Sequence, residues 1–214
     1  MKRILLLIAV SILSSCSSQP APAWQQDGNT TMTNFINSYM EGNQRFAQNY
    51  YLKLTESLKL TADPDIMVIA PITKCAMDIA LFKEAPSCSE AEPFSGVIKK
   101  KENIRYINLI SGLKKDIPSK YKDFVNSPSP CSTEVTNLKI KKLDAPLSKI
   151  IASSFAFRRG CYDEKTLQNA IDTASAEGWK ITVITYLDIL LKYYEEKGLE
   201  EKAELLRKRI GLSK

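Results

Sequence analysis

Apolar residues recur along most of this chain at three- and four-residue spacing, and strict alternation is scarce; that period marks helices with one buried face. From Thr31, Phe35 and Tyr39 share a face until Gly42 interrupts it. Phe46, Tyr50 and Leu54 form the next face, with Ala47, Tyr51 and Leu58 beside them. Ala62-Asp63-Pro64-Asp65 predicts a turn into a third helix, apolar from Met67 to Phe82, with a kink or restart at Pro71. Residues 85–96 read as loop. Val97 to Leu113 predicts a cationic amphipathic helix, in which Ile98, Ile104, Ile107 and Ile110 alternate with Lys99, Lys100, Lys101 and Arg105. Pro118 starts a short helix ending at Val125.

Asn126 to Cys131, with Pro128 and Pro130, is the strongest punctuation, and it fits either a boundary between subdomains or a plain helix connection. A helix over Thr136–Leu143 follows. Pro146 suits a first helical position and leads the stripe Leu147, Ile150, Ile151, Ser154 and Phe155, which ends at Gly160. Asp163 is a good N-cap for Leu167, Ala170, Ile171 and Ala174, closed by Gly178. Val183, Leu187, Leu190, Leu191 and Tyr194 form a helix face ended by Gly198, and Leu199, Ala203, Leu206 and Ile210 form the last one. The expected class is all-α: antiparallel helical hairpins over residues 31–214, as a repeat or an irregular bundle.

Leu187, Leu190, Leu191, Tyr194, Gly198, Ala203 and Ile210 together resemble a tetratricopeptide repeat (TPR), in which a small alanine after the turn glycine lets two helices pack closely. Phe35, Gly42, Ala47, Tyr51 and Leu54 look like a fainter copy. Leu191 stands where the family has glycine, Leu206 falls one place early, and no proline closes the unit. The copies are not in tandem at the ~34-residue period of the family. The resemblance implies TPR-like hairpins presenting a binding surface, and an ordinary antiparallel helix pair accounts for the same pattern.

The first fifteen residues follow a different pattern. Lys2 and Arg3 precede the apolar run Ile4–Val10, extended by Ile12 and Leu13, and Ser14 and Ser15 follow. Charged start, apolar middle and small residues are the order of an export signal, and the run is short of the ~20 residues of a membrane span. Leu13-Ser14-Ser15-Cys16 resembles the lipobox of bacterial lipoproteins. That resemblance implies cleavage of residues 1–15, acylation of Cys16 and a membrane anchor made of lipid. Ser17 follows Cys16, where an aspartate commonly marks inner-membrane retention, so the expected address is the periplasmic face of the outer membrane. Residues 16–30 read as a flexible tether around Pro20 and Pro22. Within it, Asp27-Gly28-Asn29-Thr30-Thr31 resembles the extended acceptor sequon of bacterial N-glycosylation.

An anchor on Cys16 makes the cysteine count even. Cys75, Cys88, Cys131 and Cys161 allow three pairings in an oxidising compartment. Cys75–Cys88 and Cys131–Cys161 are favoured, each fastening a loop to a helix; four buried reduced thiols are the alternative.

The formal charge of +6 falls to +4 without Lys2 and Arg3. Residues 99–142 alone hold eleven Lys/Arg against four Asp/Glu. Lys99, Lys100, Lys101 and Arg105 are therefore candidates for contact with an acidic partner or anionic surface, against the simpler reading of a solvated face. Nucleic acid is disfavoured by the export signal. The chain has no histidine, so a Ser-His-Asp triad is impossible within it, and the cysteines lack C-x-x-C spacing. No metal or cofactor site is expected. Asp78, in an apolar helical stretch, is the one acid singled out for chemistry; a cell-wall hydrolase would need a second across a cleft. The expected function is binding or scaffolding for an envelope protein partner, with a wall-acting enzyme or a purely structural surface lipoprotein as alternatives.

Overall fold

Four helices of this protein begin where a side chain accepts a free amide of the first turn. Asn43, Asp63, Ser132 and Asp163 each do so, and Asp163 and Thr166 close a reciprocal capping box. A computed structural model describes residues 23–83, 86–126 and 130–213. Cys16, the signal segment and the start of the tether lie outside them.

Eleven α-helices are present among the described residues: α1 (Ala23–Glu41), α2 (Gln44–Lys59), α3 (Pro64–Met67), α4 (Ile69–Ala80), α5 (Lys101–Ile110), α6 (Ser119–Asn126), α7 (Thr133–Lys141), α8 (Pro146–Arg158), α9 (Glu164–Ala176), α10 (Lys180–Glu196) and α11 (Glu200–Ser213). A 3₁₀ helix, Ser87–Phe94, joins α4 to α5. The class is all-α, and successive helices pack as hairpins, α1 on α2, α8 on α9, α9 on α10 and α10 on α11.

Several boundaries differ from the sequence pattern. α1 starts at Ala23, inside the segment read as tether, because Thr30 and Thr33 bond back to the carbonyls of Gln26 and Asn29 and tolerate the helix. Phe46 is 53% exposed while Ala47, Tyr51, Leu54 and Leu58 are buried, so the inner face of α2 is rotated by about one residue from the large-residue stripe. Residues 87–94 are 3₁₀ helix, not loop. The cationic helix is shorter than its pattern: the side chain of Asp65 accepts the backbone N–H of Lys99 (3.0 Å) and Lys100 (2.9 Å) and holds that strand extended until Lys101.

α4 and α8 form the centre. Tyr186 of α10 is completely buried and donates its hydroxyl to Ala80 O (3.3 Å) and Ile150 O (3.1 Å), joining three helices at one point. The fold then closes on itself. Trp179 Nε1 donates to Asn37 Oδ1 (3.0 Å) and Thr182 Oγ1 to Met40 O (3.1 Å), so α10 lies against α1. Gly42 makes that turn possible: its φ is +96°, and a Cβ there would stand 3.1 Å from Ile181 Cβ.

One polar arrangement recurs three times. A carboxylate receives a tyrosine hydroxyl and a lysine ammonium, and the same lysine lies over the ring of that tyrosine. Asp78 holds Tyr39 and Lys83 (2.8 Å), with Lys83 4.3 Å from the ring centre. Glu90 holds Tyr51 and Lys74, with Lys74 at 4.8 Å. Glu164 holds Tyr194 (2.9 Å) and Lys202 (2.7 Å), with Lys202 at 5.3 Å. Each unit satisfies an acid, fully buried at Asp78 and partly exposed at Glu90 and Glu164, while tying separate elements together.

These units predict alkaline sensitivity. Burial, and then the neighbouring carboxylate, raise the pKa of Tyr39 and Tyr51 and push Tyr194 up to about 12; burial alone raises Tyr186. A raised folded-state pKa contributes stability that is complete below the unfolded value near 10 and is lost as pH climbs through the folded value. Urea midpoints are therefore expected to hold from pH 7 to 9 and to fall steadily above about pH 10. Tyr186→Phe should make the fall shallower, and an unchanged alkaline slope in that variant contradicts the assignment.

Candidate functional site

The site that stands out lies where four helices leave a groove. α4 supplies Ile69, Ile72, Thr73 and Ala76; α5 supplies Asn103 and Tyr106; α6 supplies Lys120 and Tyr121; α8 supplies Leu147, Ser148 and Ile151. Its volume is about 270 Å³. One side is aliphatic, and the polar groups gather at the other.

Local sequence explains the placement. Ile117 is buried and Pro118 starts α6, so that Tyr121 and Phe124, three residues apart, point into the core. Lys120 is thereby left at the rim. Its ammonium lies 3.1 Å from Ser148 Oγ and stands 5.1 Å and 5.6 Å from the ring centres of Tyr121 and Tyr106. On α5, Asn103 and Tyr106 also lie three apart and face the groove. Asn103 is fixed by donating to Asp65 Oδ1 (3.0 Å) and Asp65 O (2.7 Å).

Burial lowers the pKa of Lys120, but the oxygens of Tyr106 and Tyr121 outweigh it, so the group lies above its ordinary value and is charged at neutral pH. Tyr121 is raised by burial. Among the described residues no carboxylate pairs with Lys120. The groove head thus repeats the lysine-on-tyrosine arrangement of the fold without its acid. A second hollow of about 360 Å³, under Phe82, Phe157, Tyr162 and Tyr193, carries Asp188 and Glu196 beside Lys192 and so has both charges.

The four cations marked by sequence sit in different settings. Lys99 and Lys100 are tethered through their backbone amides to Asp65, and their side chains and that of Lys101 are exposed. Arg105 is already engaged by Asp116 (3.1 Å) and Glu102 (3.7 Å). Lys120 belongs to the same basic stretch, and nothing in its neighbours distinguishes it from other surface lysines; only the tertiary arrangement of α6 against α8 does.

Cys75 is bonded to Cys88 and Cys131 to Cys161, at Cα separations of 4.7 Å and 5.9 Å. Among the described residues no group of three or more acids or cysteines could hold a metal ion, and no helix is long and apolar enough to cross a membrane. Asn29 is exposed on α1. Asp78 lines neither of the two hollows described above. It is buried against Tyr39 and Lys83, where its charge has structural work. Asp78→Ala is expected to cost about 3 kcal/mol in urea denaturation, since it strands a cation and a phenol at a half-buried site; a loss under about 0.5 kcal/mol would mean that the cluster holds nothing.

Compared with protein-family models, curated proteins and solved structures, the chain shows no match in any of the three.

Proposed function

We propose that this chain is a lipid-anchored envelope protein of the docking or scaffold kind. Cys16 carries the lipid at the periplasmic face of the outer membrane, and the helical body offers the α4–α5–α6–α8 groove to a protein partner. The observation that carries this reading is the groove itself: an aliphatic wall beside a charged Lys120 that no acid of the described chain neutralises. Such a combination suits recognition, where apolar burial supplies affinity and one charge supplies orientation. Two cysteine pairs bonded far from the N-terminus agree with an oxidising compartment and leave Cys16 as the odd thiol. No acid pair lines this groove, which suits it to recognition.

Both halves can be tested in cells that make the protein. Labelled palmitate should enter the chain and be absent from Cys16→Ala; label retained in that variant refutes the anchor. A photo-crosslinking residue at Thr73 or Leu147, on the groove, should give one defined adduct that the same residue at Lys165, on α9, does not. Equal or absent adducts at all three positions overturn the docking surface.

A further inference from the structure

The three carboxylate-centred clusters show what a lysine over a tyrosine ring is paired with in this fold. Asp78, Glu90 and Glu164 each lie between a phenol and an ammonium. Two further lysines lie over tyrosine rings without such an acid. Lys197 sits 5.8 Å from the ring centre of Tyr193 at the end of α10 and lies over that one ring. Lys120, also exposed, heads a groove, between two rings and a buried serine hydroxyl. Resting on the docking reading above, we propose that the groove receives the C-terminal carboxylate of a partner protein whose last residue is apolar.

The chemistry of the head selects the charge. An ammonium with the hydroxyls of Ser148, Tyr106 and Tyr121 around it can donate to a carboxylate from several sides, and charge-assisted bonds of this kind are the strong ones. The rest of the groove selects what the carboxylate is attached to. Ile69, Ile72, Leu147 and Ile151 form an aliphatic surface directly beside the head, and Ile69 is 41% exposed with nothing over it. A chain terminus places a carboxylate and an apolar side chain on one Cα, which matches a polar head and an apolar wall in adjacent positions. An internal Asp or Glu would bring backbone in from both directions. The volume, about 270 Å³, lies at the small end for a ligand pocket and suits one or two terminal residues better than a large cofactor. Capture of a terminal carboxylate is a recognised mode of peptide binding, and here a side-chain cation replaces a backbone nest.

The test is fluorescence anisotropy with the full chain in a non-ionic detergent. The probes are fluorescein-labelled Gly-Ala-Leu, Gly-Ala-Val and Gly-Ala-Phe, each as free acid and as C-terminal amide, with hexanoate as competitor. At least one free acid should bind about tenfold or more tighter than its amide, the difference expected for one charge-assisted hydrogen bond. Lys120→Met should bring that acid to the level of the amide, and Lys120→Arg should keep part of the preference; circular dichroism reports whether either variant remains helical. Equal binding of acid and amide overturns the proposal, as does a preference that survives Lys120→Met or the failure of every free acid to bind. Displacement of the bound acid by hexanoate as readily as by the same peptide unlabelled also overturns it, in favour of a small amphiphile. Loss of the acid preference while groove crosslinks persist removes the carboxylate and leaves the docking surface standing; absence of crosslinks removes the docking surface.

Discussion

Reducing both disulfides is expected to lower the unfolding free energy by about 7 kcal/mol, roughly 3 from Cys75–Cys88 and somewhat more from Cys131–Cys161, whose loop is longer. The sequence separations are 13 and 30 residues, and closing each loop in the unfolded chain removes conformational freedom in proportion to the logarithm of its length. Domains of this size hold about 5–15 kcal/mol in total, so the reduced chain should stand close to its unfolding threshold at 37 °C. The shorter bridge also has a local effect. It fastens the 3₁₀ segment to α4, and that segment carries Glu90, which in turn holds Tyr51 and Lys74. Urea denaturation with and without reductant, and of the paired serine variants, checks the magnitudes. If the Cys131→Ser/Cys161→Ser chain is no less stable than the oxidised protein, the longer bridge contributes nothing to the fold.

Tyr186→Ala is expected to cost about 4 kcal/mol, the largest effect of any single side chain in the core. The ring is wholly buried, packs edge-on against Phe82 at 5.6 Å, and its hydroxyl bonds carbonyls of both α4 and α8. Alanine leaves a cavity where three helices meet, and a site held from three sides collapses poorly. Tyr186→Phe removes only the two hydroxyl bonds and should cost about 1 kcal/mol. Chemical denaturation separates the two variants. Equal losses for alanine and phenylalanine would mean that the hydroxyl, not the ring, supplies the contribution.

Most helices were legible because their period and their punctuation agree. Asp163 caps α9, Leu167, Ala170, Ile171 and Ala174 are buried, and α10 ends at the turn before Gly198, all as the sequence pattern predicts. The misreadings share a cause. Phe46 looked like a core residue because it is large, yet the inner face of α2 is set by where α1 and α4 lie. The cationic helix was drawn too long because hydrophobic period alone does not reveal that Asp65, 34 residues away, takes the amides of Lys99 and Lys100. α8 hides its depth. Ser153 and Ser154 are buried within it, and each satisfies its hydroxyl on a carbonyl of its own helix, so polar residues occupy an inner surface. The groove was not legible at all. It is made by residues from four helices whose spacing along the chain has no period, and Lys120 differs from the lysines around it only in its tertiary setting, beside Ser148 and the rings of Tyr106 and Tyr121.

The contact between α1 and α10 bears on the order in which the chain acquires its shape. Asn37 and Trp179, like Met40 and Thr182, are 142 residues apart. Every chain leaves the ribosome N-terminus first, so the α1–α2 hairpin exists long before the helix that covers it. Contacts between neighbouring helices form fast, and a contact across most of the chain waits on a large loop closure. The face of α1 that Trp179 and Thr182 cover is therefore open until the C-terminal helices have packed. A chain truncated before α10 should leave that face open to aggregation.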